Sequence, residues 1–300
     1  MVKSRSNSRQ EMINIKKALC AIFCVMMLGA LAGSAEKSII RLGMLAKLNT
    51  SEETFGETWR AEFAPKNGQL EVIVKFYDTL PAMLMAMNRR EIHEMVLPEA
   101  AADYVLSNNP ELEATLVLRS KGMGLAFGFR EDSTALRDKF NSALGQMRDN
   151  WTLSVLEGSY LSGRKTPEPV KFETFPDAET VTVAITGDLP PLDFIAPDGE
   201  PAGFNTAILA EIGSILHVNI KLLEVSAGAR TAALTSGRAD AVFWYEISKS
   251  SSEQPDIPDG VILSDSYYEW EKFVHVRKAP PKAASWWDFK SSIINLYGGR

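Results

Sequence analysis

Three histidines (His93, His217, His275) and two cysteines (Cys20, Cys24) are all the imidazole and thiol chemistry in this chain of 300 residues. The histidines have no metal-ligand spacing, and no nucleophile is followed by a base and an orienting acid at triad-like positions. Phosphate-cradling glycine loops are absent. Surface placement accounts for all three histidines, and neither a metal nor a cofactor is expected. What the sequence offers instead are groups that bind. Trp244-Tyr245-Glu246 closes an apolar run that starts at Asp240, at the C-terminal end of a strand, where open α/β sheets hold ligands. Asn49, Thr50 and Ser51 precede Glu52 and Glu53 at a helix start. Free N–H groups there suit a carboxylate or another anion, and an ordinary helix cap has the same composition.

The elements that must position these groups alternate. Strands are expected at 38–45, 71–77, 95–97, around 116–129, and at 181–185, 219–225, 240–244 and 270–277. Helices are expected from 52, over 80–88 and 99–107, along 133–160, and over 204–216 and 229–236. Strands alternating with helices imply parallel sheets and an α/β class. Residues 163–179 carry three prolines and no period, and read as a linker. The two halves on either side echo each other, which suggests two α/β lobes with a ligand cleft between them.

Composition bounds the class. Apolar residues make up 45% and charged residues 23%, as in ordinary globular chains. With 32 basic and 38 acidic residues there is no broad cationic field for nucleic acid. Collagen, low-complexity disorder and a multi-span membrane protein are excluded. Lys3, Arg5, Arg9, Lys16 and Lys17 precede a short apolar run, Ala18 to Leu31, and then Ala30-Leu31-Ala32 and Gly33-Ser34-Ala35. That pattern reads as a secretory signal peptide over residues 1–35, the alternative being an uncleaved anchor. Both cysteines lie inside it. Without its five basic residues and one acid, the remainder carries 27 basic against 37 acidic groups, a net of −10. An exported, acidic, cysteine-free body points to the bacterial periplasm.

One stretch carries a family resemblance. Gly187-Asp188-Leu189-Pro190-Pro191-Leu192-Asp193-Phe194, then Asp198-Gly199-Glu200 and Ala202-Gly203-Phe204-Asn205, resembles the opening of the bacterial extracellular solute-binding proteins of family 3, the polar amino-acid receptors of ABC importers. Leu234, Gly237-Arg238-Ala239-Asp240-Ala241 and Leu263-Ser264-Asp265-Ser266-Tyr267-Tyr268 continue it. The resemblance implies a two-lobed periplasmic-binding-protein-like clamshell of type II. Residues 36–115 resemble the family's lobe 2, 116–162 the return to lobe 1 and its closing helix, and 180–280 lobe 1. Residues 281–300 repeat the strand that opens lobe 2, as in Ser292-Ile293-Ile294 against Ser38-Ile39-Ile40. The parts therefore stand in rotated order, as in a circular permutation. Two incomplete lobes completed by a partner chain are the competing account.

The resemblance implies a function and a site. The chain is expected to capture a small polar solute, an amino acid or a relative, and to present it to a membrane permease of an ABC importer. Phe194 and Phe204 would line the lobe 1 wall, each equally at home in a core. Trp244, Tyr245 and Glu246 would face the cleft. Tyr267 sits where the family crosses toward lobe 2, and Asp188 would orient the loop after the first lobe 1 strand. Asn49, Thr50, Ser51 and Glu99 would serve from lobe 2. Pro98 stands where the family places an acid for the ligand's amino group, with Glu99 beside it. The arginine that pairs with a ligand carboxylate in the family has no counterpart in Ile247–Gln254, where Lys249 is the only cation. That departure motivates a second expectation: a sensory or scaffold module with a degraded cleft that binds a protein partner.

Overall fold

The computed structural model describes residues 38–63, 70–161, 168–249, 254 and 256–280. The expected signal peptide, part of the linker and the repeated strand at 281–300 lie outside the described residues. The N-terminal lobe opens with β1 (Ser38–Leu45), α1 (Glu52–Phe63), β2 (Leu70–Tyr77), α2 (Leu80–Asn88), β3 (Glu94–Pro98) and α3 (Glu99–Asn108). A 19-residue strand, β4 (Leu112–Arg130), follows. Helices α4 (Thr134–Asp149) and α5 (Thr152–Tyr160) come next. The C-terminal lobe then contributes β5 (Thr180–Ile185), the short strands β6 (Asp188–Leu189), β7 (Asp193–Ile195) and β8 (Pro201–Ala202), and α6 (Phe204–Leu216). It continues with β9 (Asn219–Glu224), a one-turn 3₁₀ helix at Ala227–Ala229, α7 (Arg230–Thr235), β10 (Ala241–Ser248), β11 (Val261–Leu263) and β12 (Tyr268–Lys278).

The main sheet runs β2-β1-β3-β12-β4-β10-β5-β9, with β11 also on β4. Parallel pairing joins β1 to β2 and β3 in one lobe, and β5 to β9 and β10 in the other. Between these parallel sets run β4 and β12, antiparallel to each other over almost their whole length. The first half of β4 and the second half of β12 complete the N-terminal sheet. The second half of β4 pairs with β10 and β11 in the C-terminal sheet. Two strands thus belong to both lobes, and every other regular strand of the sheet belongs to one.

Local chemistry explains most elements. The runs SIIRLGML and LEVIVKFY are rich in β-branched and aromatic residues and form β1 and β2. Ser51 caps α1, its Oγ accepting from Thr54 N at 3.1 Å. Thr79 does the same for α2 by accepting from Ala82 N at 3.1 Å, with Pro81 in the first turn. Along α4, Phe140, Ala143, Leu144 and Met147 form one buried stripe. Phe140 meets Phe127 and Phe129 of β4 edge-on at 5.3 and 5.1 Å.

Three expectations need correction. The helix expected along 133–160 is two helices. Asn150 and Trp151 divide it, with Trp151 in the left-handed region at φ 68°, where the helical hydrogen-bond ladder cannot continue. The loop expected after β5 contains the three-stranded β6-β7-β8 sheet. His275 is not on the surface: it is 4% exposed on β12, and its Nδ1 lies 2.6 Å from Glu94 Oε2.

Candidate functional site

The C-terminal ends of both parallel strand sets point to the same place. In the N-terminal lobe the chain leaving β1 carries Lys47 and Asn49, the chain leaving β2 carries Asp78, and β3 leads straight into Glu99. In the C-terminal lobe Asp188 follows β5, Gly228 and Arg230 follow β9, and Glu246 lies two residues before the end of β10. Parallel strands end with backbone donors and acceptors that no further strand uses, so polar side chains collect there.

The two sets meet directly. Lys47 forms an ion pair with Glu246 across the lobes, and each side chain is only 7% exposed. Gly228 N donates to Asp78 Oδ1 at 3.2 Å. Asn49 Nδ2 donates to Gln254 O at 3.3 Å. Arg230 Nη2 reaches Ala46 O at 3.5 Å. The ring of Tyr104 on α3 lies 6.4 Å from that of Phe194 on β7, and α2 packs against β6. On the flank, between α3 and α5, a cavity of about 390 Å³ is lined by Glu99, Asp103, Glu157 and Tyr268. Burial, then the neighbouring Glu99, raises the Asp103 carboxyl above its usual range.

Asp188 and Asp193 follow β5 and open β6 and β7. Asp193 is fully buried. Its carboxylate accepts from the backbone of Thr186 and Gly187, each at 3.1 Å, and from the Thr186 hydroxyl at 3.2 Å. Those bonds tie down the turn between β5 and β7, and burial raises its carboxyl to about 6. Asp188 is raised to about 7, by burial first and then by the Asp193 and Glu224 carboxylates. Its Oδ2 is buried with no hydrogen-bond partner among the described residues.

The residues singled out from sequence fall into two groups. Glu246, Asn49, Asp188 and Phe194 lie at the meeting of the lobes. Glu99 sits at its flank and pairs with Lys272 of β12. Thr50 follows Asn49 in the same loop, and Ser51 spends its hydroxyl on the cap of α1. The other four are core side chains. Phe204 is 1% exposed and packs on Tyr268 at 5.4 Å. Trp244 lies beneath Arg230, whose Cζ stands 4.0 Å from the ring centre. The Tyr245 ring covers Gly128, where an added Cβ would lie 2.1 Å from it. Tyr267 donates its hydroxyl to Phe243 O at 3.0 Å. Lys249, the cation standing where an arginine was sought, pairs with Glu269 of β12.

Lys47, Asp78, Arg230 and Asp256 were not anticipated. The first two were legible: each is the first or second residue beyond a parallel strand. Arg230 was hidden inside a helical pattern, and Asp256 inside a turn. Among the described residues, no three His, Cys, Asp or Glu side chains converge as metal ligands.

Residues 181–283 match the family model of the bacterial extracellular solute-binding proteins, family 3. The match spans the C-terminal lobe and β12. The fold is mixed α/β. Solved structures with similarity include a ligand-binding component of an ABC-type import system from Staphylococcus aureus with zinc bound. It shows 11% identity over 80% of this chain and 66% of that one, at a TM-score of 0.42. The periplasmic aliphatic sulphonate-binding protein SsuA from Escherichia coli shows 12% identity over 86% and 70%, at 0.37. The reduced OxyR regulatory domain from Pseudomonas aeruginosa shows 8% over 88% and 100%, at 0.40. At these TM-scores the likenesses establish neither ligand nor function for this chain. No curated protein matches it in sequence.

Proposed function

We propose that this chain is an exported solute-binding protein that closes two lobes over a small polar solute and presents it to the permease of an ABC importer. The observation that carries this reading is the meeting of the two parallel strand sets at their C-terminal ends, where Lys47 pairs with Glu246 and Gly228 N donates to Asp78. Strand ends from the two parallel strand sets face each other and set a cation, Lys47, against the anion Glu246, with Asp188 just beyond β5. Opposite charges in a shielded cleft suit a solute that carries both signs or several hydrogen-bonding groups. Among the described residues, β4 and β12 are the only regular strands of the main sheet that enter both lobes, and they supply the hinge. The family match on the C-terminal lobe supports the same reading.

We propose also that the lobes stand in permuted order. The N-terminal lobe plays the family's lobe 2, and α4 and α5 are the closing helices. Both pack on α6 of the C-terminal lobe, which supports that assignment. The linker over 163–179 then joins what are chain ends in the unpermuted order, a change that domains tolerate where termini meet at the surface.

The test is a screen of the common amino acids and small organic acids by thermal shift, followed by calorimetry on any that stabilise. Saturable binding by at least one solute is the expected result; a flat response to all of them counts against the transport reading. One observation favours a second reading. The cleft charges Lys47 and Glu246 already satisfy each other, as in a sensory or scaffold module whose partner is a protein. That reading gains if the screen is flat and the chain captures a protein that is not a permease.

A further inference from the structure

One guanidinium where the two strand sets meet has almost no access to water. Arg230 and Asp256 have side chains 1% exposed each. Arg230 Nη2 donates to Asp256 Oδ1 at 3.0 Å, and Nη1 faces Oδ2 at 3.4 Å, so the pairing is two-pronged. The backbone N–H of Glu246 donates to the same Oδ2 at 2.9 Å. The guanidinium is held in place by other groups. Its Nε donates to Ala227 O at 2.9 Å and its Nη1 to Trp244 O at 2.6 Å. The Trp244 ring lies under Cζ at 4.0 Å, and the Tyr245 ring at 5.3 Å.

A planar fork of N–H donors and one backbone amide, fixed and shielded from water, is a receptor for a single carboxylate. Asp256, from the same chain, fills it. It belongs to neither strand nor helix but to the segment between β10 and β11. We infer that Arg230 and the Glu246 amide form a carboxylate-binding site whose resident occupant is the chain's own Asp256. Because it belongs to the same chain, its carboxylate stands at an effective concentration on the order of millimolar or more. A free acidic solute must exceed that to displace it. The unaltered cleft therefore selects against solutes that need Arg230 for a carboxylate, and leaves Lys47, Glu246 and Asp188 as its recognition groups. This selectivity rests on the solute-binding reading; the carboxylate site does not.

The test removes the occupant and supplies its equivalent. Asp256→Gly deletes CH₂–COO⁻, which acetate restores. Thermal unfolding is followed with rising sodium acetate, against sodium chloride at the same ionic strength. The expected result is a lowered midpoint for Asp256→Gly that acetate raises saturably, no such rise for the unaltered chain, and none for Arg230→Met/Asp256→Gly. An acetate effect no larger than that of chloride, or equal in the unaltered chain, overturns the site. If Asp256→Gly does not accumulate folded, the readout is refolding yield from denaturant. A yield raised by acetate in the single variant and not in the double supports the site, and equal yields overturn it. Acetate rescue with a flat solute screen sinks the transport reading alone. Solute binding without rescue sinks the carboxylate site alone.

Discussion

At the residue scale, the cleft is a set of charges whose environments decide their value. Lys47 and Glu246 are 7% exposed and belong to different lobes. Lys47→Met or Glu246→Gln leaves the partner charge buried, and each should cost about 3–5 kcal/mol. The double variant should cost much less than the two singles together, which urea unfolding of the four proteins measures. Asp188 behaves in the opposite sense. Its carboxyl is raised to about 7 from an ordinary 3.8, chiefly by burial. The folded chain therefore holds a proton that the unfolded chain has lost between those values, and stability falls as pH rises through that window. Asp188→Asn removes this loss. It should be more stable than the parent at pH 8 by about 1–2 kcal/mol, less than the full shift implies because the group is part-exposed, and close to it at pH 4. Denaturant unfolding at the two pH values checks the difference. Glu246, Asn49 and Asp188 could be placed from sequence because each ends or follows a strand. Arg230 could not, because nothing local distinguishes a buried helical arginine from an exposed one; Asp256, 26 residues away, is what buries it.

At the element scale, hydrophobic period carried the reading and backbone exceptions escaped it. The strands of both lobes and the start of α1 were legible because apolar alternation and capping residues are local signals. The α4–α5 corner was not, since Trp151 is a residue that rarely adopts a positive φ. Trp151 is 72% exposed and sits at φ 68°. Trp151→Gly should therefore stabilise by about 0.5–1 kcal/mol in thermal unfolding, as backbone strain is relieved with little packing lost. The turn entering α6 makes the reverse demand. Gly203 has φ 112°, and a Cβ there would lie 2.5 Å from Leu192 O. Gly203→Ala should destabilise by roughly 2–4 kcal/mol, measured the same way. The β6-β7-β8 sheet was read as a loop because strands of two and three residues hold no period to detect. Asp193, reaching back to the amides of Thr186 and Gly187, supplies the order that hydrophobicity does not.

At the scale of the whole molecule, two parallel strand sets of one sheet flank the antiparallel pair β4 and β12 and bring their strand ends together. On the proposed reading, bending both strands near the middle of their length would separate Lys47 from Glu246 and free Gly228 N from Asp78. Hinge closure about these two strands is the central claim. The most direct measurement places spin labels on Glu57 of α1 and Lys221 of β9, each changed to cysteine, with Cys20 and Cys24 changed to serine. Interlobe distances are then read by pulsed electron resonance, with and without Lys47→Met/Glu246→Gln. The expected result is one narrow distance with the ion pair intact and a shift to longer, broader distances without it. The same single distance in both proteins would contradict a hinge held by charges across the cleft.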